Sequence, residues 1–256
     1  MRTYVITGAA SGVGKATAQM VEAAGDRVIS VDLRDADVIA DLSTKEGRDH
    51  MVAEVGRLTD GKIDAIVANA GLAINASVAM AVNYFGAIAT LEGLRPYLAG
   101  SEAPRAVITA SMASLQPYNE ELLEACLNGT EEEAMAISEA NSDPAGYVNY
   151  PTSKRAIVRW MRANAIKEEW AGAGIPLNAI APAIILTPMT EPLFADPVKR
   201  EHMLKSVPMP LNGPAPAEAC ASAIMFLASP GNTHACGQVL FTDGGYEATT
   251  RGAGQW

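Results

Sequence analysis

Tyr4-Val5-Ile6-Thr7-Gly8-Ala9-Ala10-Ser11-Gly12-Val13-Gly14-Lys15 reads as a strand, a tight turn and the start of a helix. The β-branched run favours extended chain, the glycines punctuate it, and a helix-compatible stretch follows from Lys15 to Ala24. Such a turn can hold a dinucleotide pyrophosphate against the N–H groups of a helix N-terminus. Gly8 allows the sharp turn, Gly12 lets the backbone approach phosphates, and Gly14 permits close helix–strand packing. The spacing is looser than G-x-G-x-x-G, so the loop alone is also compatible with an ordinary glycine-rich turn. A second apolar run, Arg27-Val28-Ile29-Ser30-Val31, ends in Asp32, about 20 residues beyond the glycines, where a ribose-binding acid belongs. A carboxylate there accepts hydrogen bonds from adenosine ribose hydroxyls and repels a 2′-phosphate. Asp32 therefore favours NAD over NADP. Arg34 is the competing signal, but it follows the acid, and Ser11 brings no positive charge to the loop.

Outward from this unit the pattern alternates. Strands are expected near 3–7, 27–31, 65–68, 105–110, 175–180 and 238–242, and helices near 13–24, 45–58, 76–98, 151–171, 197–205 and 216–228. The alternation predicts an α/β fold, a doubly wound parallel Rossmann-like sheet with helices on both faces. Its 256 residues fit one domain. Ligands then belong beyond the carboxyl ends of the strands, where strand order reverses, and Gly8, Asp32, Asn69 and Ser111 all fall at or just after expected strand ends.

Tyr150-Pro151-Thr152-Ser153-Lys154 carries a phenol and an ammonium four residues apart. On a helix both lie on one face, one turn apart. A permanent ammonium beside the phenol is expected to lower the Tyr150 pKa from ~10 towards working pH, making an acid/base for an alcohol–ketone pair. Pro151 fits the first helical turn, where a missing N–H costs little.

With these motifs the chain resembles the short-chain dehydrogenase/reductase family over nearly its whole length. Thr7-Gly8 through Ser11, Gly12, Val13 and Gly14 match its cofactor loop, followed by Asp32-Leu33. Asp41-Leu42 sits where the family places an acid beside the adenine, and Asn69-Ala70-Gly71 matches the family's Asn-Ala-Gly. Asn83, Ser111, Tyr150 and Lys154 match the catalytic tetrad. Pro182, Ile185 and Thr187 match the segment edging the nicotinamide, and Asp243-Gly244-Gly245 the C-terminal turn. One departure is Ala183, where the family usually has Gly; a positive φ there would cost of order 1 kcal/mol.

The resemblance implies these roles. Tyr150 takes the hydroxyl proton in oxidation and returns it in reduction. Lys154 lowers the Tyr150 pKa and holds the nicotinamide ribose, and Ser111 hydrogen-bonds the substrate oxygen. Asn83 holds a water that links Lys154 to solvent; the alternative is a helix-kink residue satisfying backbone groups. A homodimer or homotetramer is implied, with helices flanking the active-site segment commonly forming the dimer face.

The formal charge of −10 argues against nucleic-acid binding. Most of it comes from one place. Eight acids (Glu120, Glu121, Glu124, Glu131, Glu132, Glu133, Glu139 and Asp143) and no Lys or Arg lie between Tyr118 and Gly146. Leu122, Leu123, Ala125, Cys126 and Leu127 form an apolar stripe ended by Gly129, and Thr130 with Glu133 fits a capping box. Residues 118–146 thus read as an acidic helical hairpin inserted between Ser111 and Tyr150. It is a surface excursion, a lid, or an element that alters the dimer face. The Pro-rich stretch 187–216, with Met189, Leu193, Phe194, Met203 and Met209, is expected to be a substrate loop; the alternative is a surface loop packed on the body.

The odd cysteine count (Cys126, Cys220, Cys236) suggests reduced thiols and a cytoplasmic protein. Met1-Arg2-Thr3 runs into the first strand with no leader pattern. Residues 65–82 are interrupted by Asn69 and Asn75, so no membrane span is expected, and the scattered His50, His202 and His234 suggest no metal.

The insertion narrows the resemblance to the bacterial 3α-hydroxysteroid dehydrogenase/carbonyl reductase subgroup, supported by residues 31–43, Val82-Asn83-Tyr84-Phe85-Gly86-Ala87 and chain length. A 3α-hydroxysteroid or similar bulky apolar carbonyl compound is therefore the expected substrate. Coniferyl-type alcohol dehydrogenases resemble the same subgroup and supply the alternative substrate. A non-catalytic dinucleotide sensor is the third reading, and the intact tetrad speaks against it.

Overall fold

The computed structural model describes residues 1–143 and 146–255. Pro144 and Ala145, within the expected insertion, and Trp256 lie outside the described residues. Seven strands form one sheet: β1 (Thr3–Thr7), β2 (Arg27–Asp32), β3 (Val38–Ile39), β4 (Ala65–Ala68), β5 (Arg105–Thr109), β6 (Leu177–Pro182) and, later in the chain, Val239–Thr242. Its order is β3-β2-β1-β4-β5-β6 and then the 239–242 strand, every pairing parallel. Strand order reverses between β1 and β4, so the turns after these two strands open onto one crevice.

Helices cover both faces, and the strands are buried accordingly; β4 and β6 are buried at every residue. Alternation along β1 sorts the core. Val5 faces a cluster with Met51, Leu91, Leu94 and Ile157, whereas Tyr4 and Ile6 face one with Val21, Cys220, Ile224 and Leu227. The second face belongs to α1 (Gly12–Ala23) and the helix Ala217–Ala228, which pack together. The first face is covered by α2 (Lys45–Thr59), by α3 (Ser77–Met80) continuing through a π-helical turn (Ala81–Gly86) into α4 (Ala87–Leu94), and by the helix bearing Tyr150. The stretch Ser77–Leu98 is long and apolar enough to cross a membrane, but 56% of its most apolar window is buried and Met80, Leu91 and Leu94 lie in the core.

The insertion forms α5 (Glu120–Asn128) and α6 (Glu131–Ala140), with the Thr130/Glu133 capping box in place. It belongs to the core: Leu122, Leu123, Cys126 and Ala134 join the first cluster, each buried. Tyr84 donates its hydroxyl to the Cys126 carbonyl at 2.7 Å, and Arg48 of α2 pairs with Glu131 at 2.7 Å. The reading of a solvated surface excursion is therefore corrected. The apolar stripe is already covered from within the same chain.

One further expectation is revised. The helix expected over 151–171 is α7 (Asn149–Asn164), followed by a separate π-helical turn, Glu168–Gly172. The break lets Trp170 turn inward, edge-on to Trp160 with centroids 6.4 Å apart. The 187–216 segment carries α8 (Glu191–Ala195) and α9 (Pro197–Ser206), bounded by a two-strand pair, β7 (Ile185–Leu186) with β8 (Ala215–Pro216). The remaining elements are α10, the helix at Ala217–Ala228 already described, β9 (Val239–Thr242) and α11 (Tyr246–Arg251). Within the loop Met209 is buried with Met112, Ile184, Val207 and Tyr246, whereas Met189 and Leu193 are exposed. The loop thus combines a packed root with an exposed apolar tip.

Candidate active site

The glycine turn is conformationally demanding in two places. Gly8 and Gly12 have φ of +69° and +53°, a region that residues with a Cβ rarely adopt. A Cβ on Gly14 would lie 2.1 Å from the Gly8 carbonyl oxygen, so only glycine lets α1 start this close to β1. Ser11 stands at the N-cap with no side-chain cap bond, which leaves first-turn N–H groups of α1 facing the crevice. At the end of β2, Asp32 accepts the Ala10 N–H at 2.9 Å and the Leu33 N–H at 2.7 Å. The cradle, the helix N-terminus and the strand-end acid fit a dinucleotide.

Asn69, Ala70 and Thr187 approach that cradle. The Cβ position of Gly8 is 2.9 Å from Ala70 Cα, and that of Gly12 is 3.3 Å from Thr187 Cγ2. Asn69 braces the site internally: its Nδ2 donates to the Thr7 carbonyl at 3.2 Å, and its Oδ1 accepts from Thr109 at 3.1 Å. Thr7 Oγ1 accepts the N–H groups of both Asn69 and Ala70 at 3.0 Å. Leu33 and Asp41 are exposed, while the Leu42 side chain is buried in the core. Val13 and Ile185 pack in the α1 and α10 cluster. Ala183 is not among the residues with positive φ, so the Gly-to-Ala departure carries no backbone strain.

Tyr150 and Lys154 share one face of α7, as their spacing predicts. Ser111 lies at the end of β5, where its hydroxyl donates to the Pro182 carbonyl at 3.3 Å and accepts the Ala113 N–H at 3.2 Å. Lys154 Nζ is 5.8 Å from the Tyr150 ring centre and donates to the Thr109 carbonyl at 3.0 Å. This geometry corrects the expected electrostatics. Burial raises the Tyr150 pKa above the ordinary phenol value, and the nearby Ser111 hydroxyl opposes that rise. The lysine is not a permanent ammonium either, because burial pushes its pKa down to about 8.

Asn83 sits in the π-helical turn, fully buried. Its Oδ1 accepts the Leu72 N–H at 2.8 Å, and its Nδ2 donates to the Leu72 carbonyl and Ser153 Oγ at 3.0 Å each. The side chain therefore does what a kink residue does, locking helix to loop. Gly71 lies between the two groups: a Cβ there would be 3.1 Å from Asn83 Oδ1 and 3.4 Å from Lys154 Nζ.

Tyr147 was not singled out in the sequence. Its ring centre lies 6.0 Å from that of Tyr150, it is 55% exposed, and its phenol is within electrostatic reach of Tyr150 and Tyr246. An aromatic three residues before the tyrosine was the one available signal, but on a helix-start loop spacing does not fix direction.

A nucleotide cradle at the sheet's switch point and a Ser–Tyr–Lys group beside it define a nicotinamide-dependent oxidoreductase acting on CH–OH groups, and a family model described as enoyl-(acyl carrier protein) reductase matches residues 8–247. The chain belongs to the short-chain dehydrogenase/reductase family. It is 37% identical to a 3-alpha-hydroxysteroid dehydrogenase/carbonyl reductase of Comamonas testosteroni, over 98% of each chain. It is 31% identical to a 2-(R)-hydroxypropyl-CoM dehydrogenase of Xanthobacter autotrophicus, over 96% of this chain and 99% of that one. The crystal structure of a 3-alpha-hydroxysteroid dehydrogenase from Pseudomonas sp. B-0831 complexed with NADH superposes with a TM-score of 0.89 at 37% identity, covering 97% of this chain and 98% of that one.

Proposed function

We propose that this protein is an NAD-dependent dehydrogenase/reductase of secondary alcohols and ketones, acting on a 3α-hydroxysteroid or a similarly bulky apolar carbonyl compound. The observation that carries the reading is buried Lys154, 5.8 Å from the Tyr150 ring centre and bonded to the Thr109 carbonyl two residues before Ser111, beside Gly71 of the loop that meets the glycine cradle. Likeness over nearly the whole chain to a relative named for 3α-hydroxysteroids supports the substrate class. The exposed apolar tip at Met189 and Leu193 suits such a substrate.

Asp32 and Leu33 would receive the adenosine ribose, with Asp41 and the Leu42 backbone beside the adenine. Gly8, Ser11, Gly12, Val13 and Gly14 would hold the phosphates. Asn69, Ala70, Gly71, Pro182, Ile185 and Thr187 would border the nicotinamide half. The bound dinucleotide supplies the hydride acceptor or donor. Ser111 holds the substrate oxygen and Tyr150 exchanges its proton: the phenolate accepts it in oxidation and the phenol returns it in reduction. Lys154, held at the end of β5, places positive charge beneath that exchange. Asn83 fixes the helix bend that brings Ser153 and Lys154 to the loop after β4.

The test is production of reduced cofactor from NAD or NADP with a 3α-hydroxysteroid, a cinnamyl-type alcohol and simple secondary alcohols. Preferential steroid oxidation with NAD is the expected result. NADP outcompeting NAD contradicts the Asp32 reading, and preference for the cinnamyl alcohol contradicts the substrate.

A further inference from the structure

Asn75, in the loop between β4 and α3, joins three segments through one amide. Its Oδ1 accepts the N–H groups of Val148 at 3.0 Å and Asn149 at 2.9 Å. Its Nδ2 donates to the carbonyls of Asn141 at 3.0 Å and Asp143 at 2.6 Å. Two donors face the oxygen and two acceptors face the nitrogen, so the network permits one amide orientation.

The beneficiary is the start of α7. A helix leaves its first four N–H groups without partners in its own ladder, and here Val148, the N-cap, offers no side-chain cap. Thr152 is the first residue to bond back, to the Val148 carbonyl. Asn75 takes the N–H groups of Val148 and Asn149, Pro151 has none, and the remaining one belongs to Tyr150 itself. Gly146 makes the approach possible, since a Cβ there would stand 2.9 Å from Asn75 Nδ2. At its other end the insertion grips the same turn: the Asn119 N–H donates to Thr152 Oγ1 at 3.0 Å.

We propose that Asn75 is a positioning residue for Tyr150, capping α7 from a neighbouring loop and tying its first turn to the end of the acidic insertion. The proposal rests on Tyr150 being the proton-exchanging group. Asn75 touches neither substrate nor cofactor; it sets where the phenol stands against Ser111. A displacement of about 1 Å at a reacting group can cost about a hundredfold in rate.

The experiment compares Asn75→Ala and Asn75→Asp with the unmodified protein. It reads melting temperature, amide exchange at Val148 and Asn149, kcat, the KM for NAD, and the pH profile of alcohol oxidation. Asn75→Ala is expected to speed exchange at both amides. It should lower kcat by roughly tenfold to a hundredfold while leaving the KM for NAD within about twofold, because the glycine cradle is untouched. Its oxidation limb should move to higher pH as the phenol shifts away from the Ser111 hydroxyl. Asn75→Asp keeps the acceptor but sets a carboxylate oxygen against the Asn141 and Asp143 carbonyls, so it should show a loss of kcat of the same kind as alanine. Gly146→Ala, which crowds the amide, should give a milder loss and carries the test if the alanine variant does not fold. Unchanged kcat and pH profile in folded Asn75→Ala overturns the proposal. If the unmodified protein turned over no alcohol, the dehydrogenase reading would fail; amide exchange and ultraviolet titration of Tyr150 would still decide the role of Asn75.

Discussion

Lys154 donates to the Thr109 carbonyl at 3.0 Å, anchoring α7 to the end of β5. The amine is buried, at 4% exposure, and its pKa is pushed down to about 8 by desolvation. Its charge is thus held where folding alone disfavours it.

That relationship has a pH signature. Between about pH 8 and 10.5 the unfolded chain keeps a proton on Lys154 that the folded one has released, so this group's contribution to stability rises with pH across that window. Below about pH 8 the full penalty of burying the ammonium applies. Lys154→Met should therefore gain stability relative to the unmodified protein near pH 7 and lose that advantage towards pH 10.5 while activity is lost. Paired urea titrations across this range check it; a difference that does not change with pH contradicts it.

Ser111 opposes the burial that raises the Tyr150 pKa. Oxidation needs the phenolate, so its rate should climb with pH, and reduction, which needs the phenol, should fall. Ser111→Ala removes the hydroxyl that opposes the rise and should move both limbs to higher pH, with kcat lowered by roughly a hundredfold as the substrate oxygen loses a donor. Rate profiles in both directions measure this, and limbs that stay in place would show that Ser111 does not tune Tyr150.

The insertion's stripe lies inside the first core cluster, so cutting it back should act on folding. Leu123→Ala, at a side chain 1% exposed, should cost about 2–5 kcal/mol of stability, read by urea unfolding. Glu124→Gln, on the solvent side of the same helix, should change it by less than about 0.5 kcal/mol. Equal effects would mean that α5 is not part of the core.

Much of this was legible before the structure. Regular periodicity located all six expected strands to within two residues, because strands buried on both faces must be short and apolar. Gly8, Gly12 and Gly14 announced the turn because close backbone approach excludes other residues. The two-residue pairings of Val38–Ile39 and of Ile185–Leu186 with Ala215–Pro216 left no periodic signal. The direction of the Tyr150 shift is not legible in the spacing, which implies a lowered pKa where burial raises it. Spacing gave its lysine neighbour, but desolvation is contributed by elements far away in sequence. Asn75 was invisible for the same reason, since its four partners lie 66 to 74 residues downstream.

The most direct test of the account is Tyr150→Phe, which keeps the ring and removes the proton-exchanging hydroxyl. NAD binding, followed by quenching of Trp fluorescence, should stay within about twofold, while alcohol oxidation falls by roughly a hundredfold to ten-thousandfold at every pH. Turnover that survives with its pH dependence intact would show that another group moves the proton.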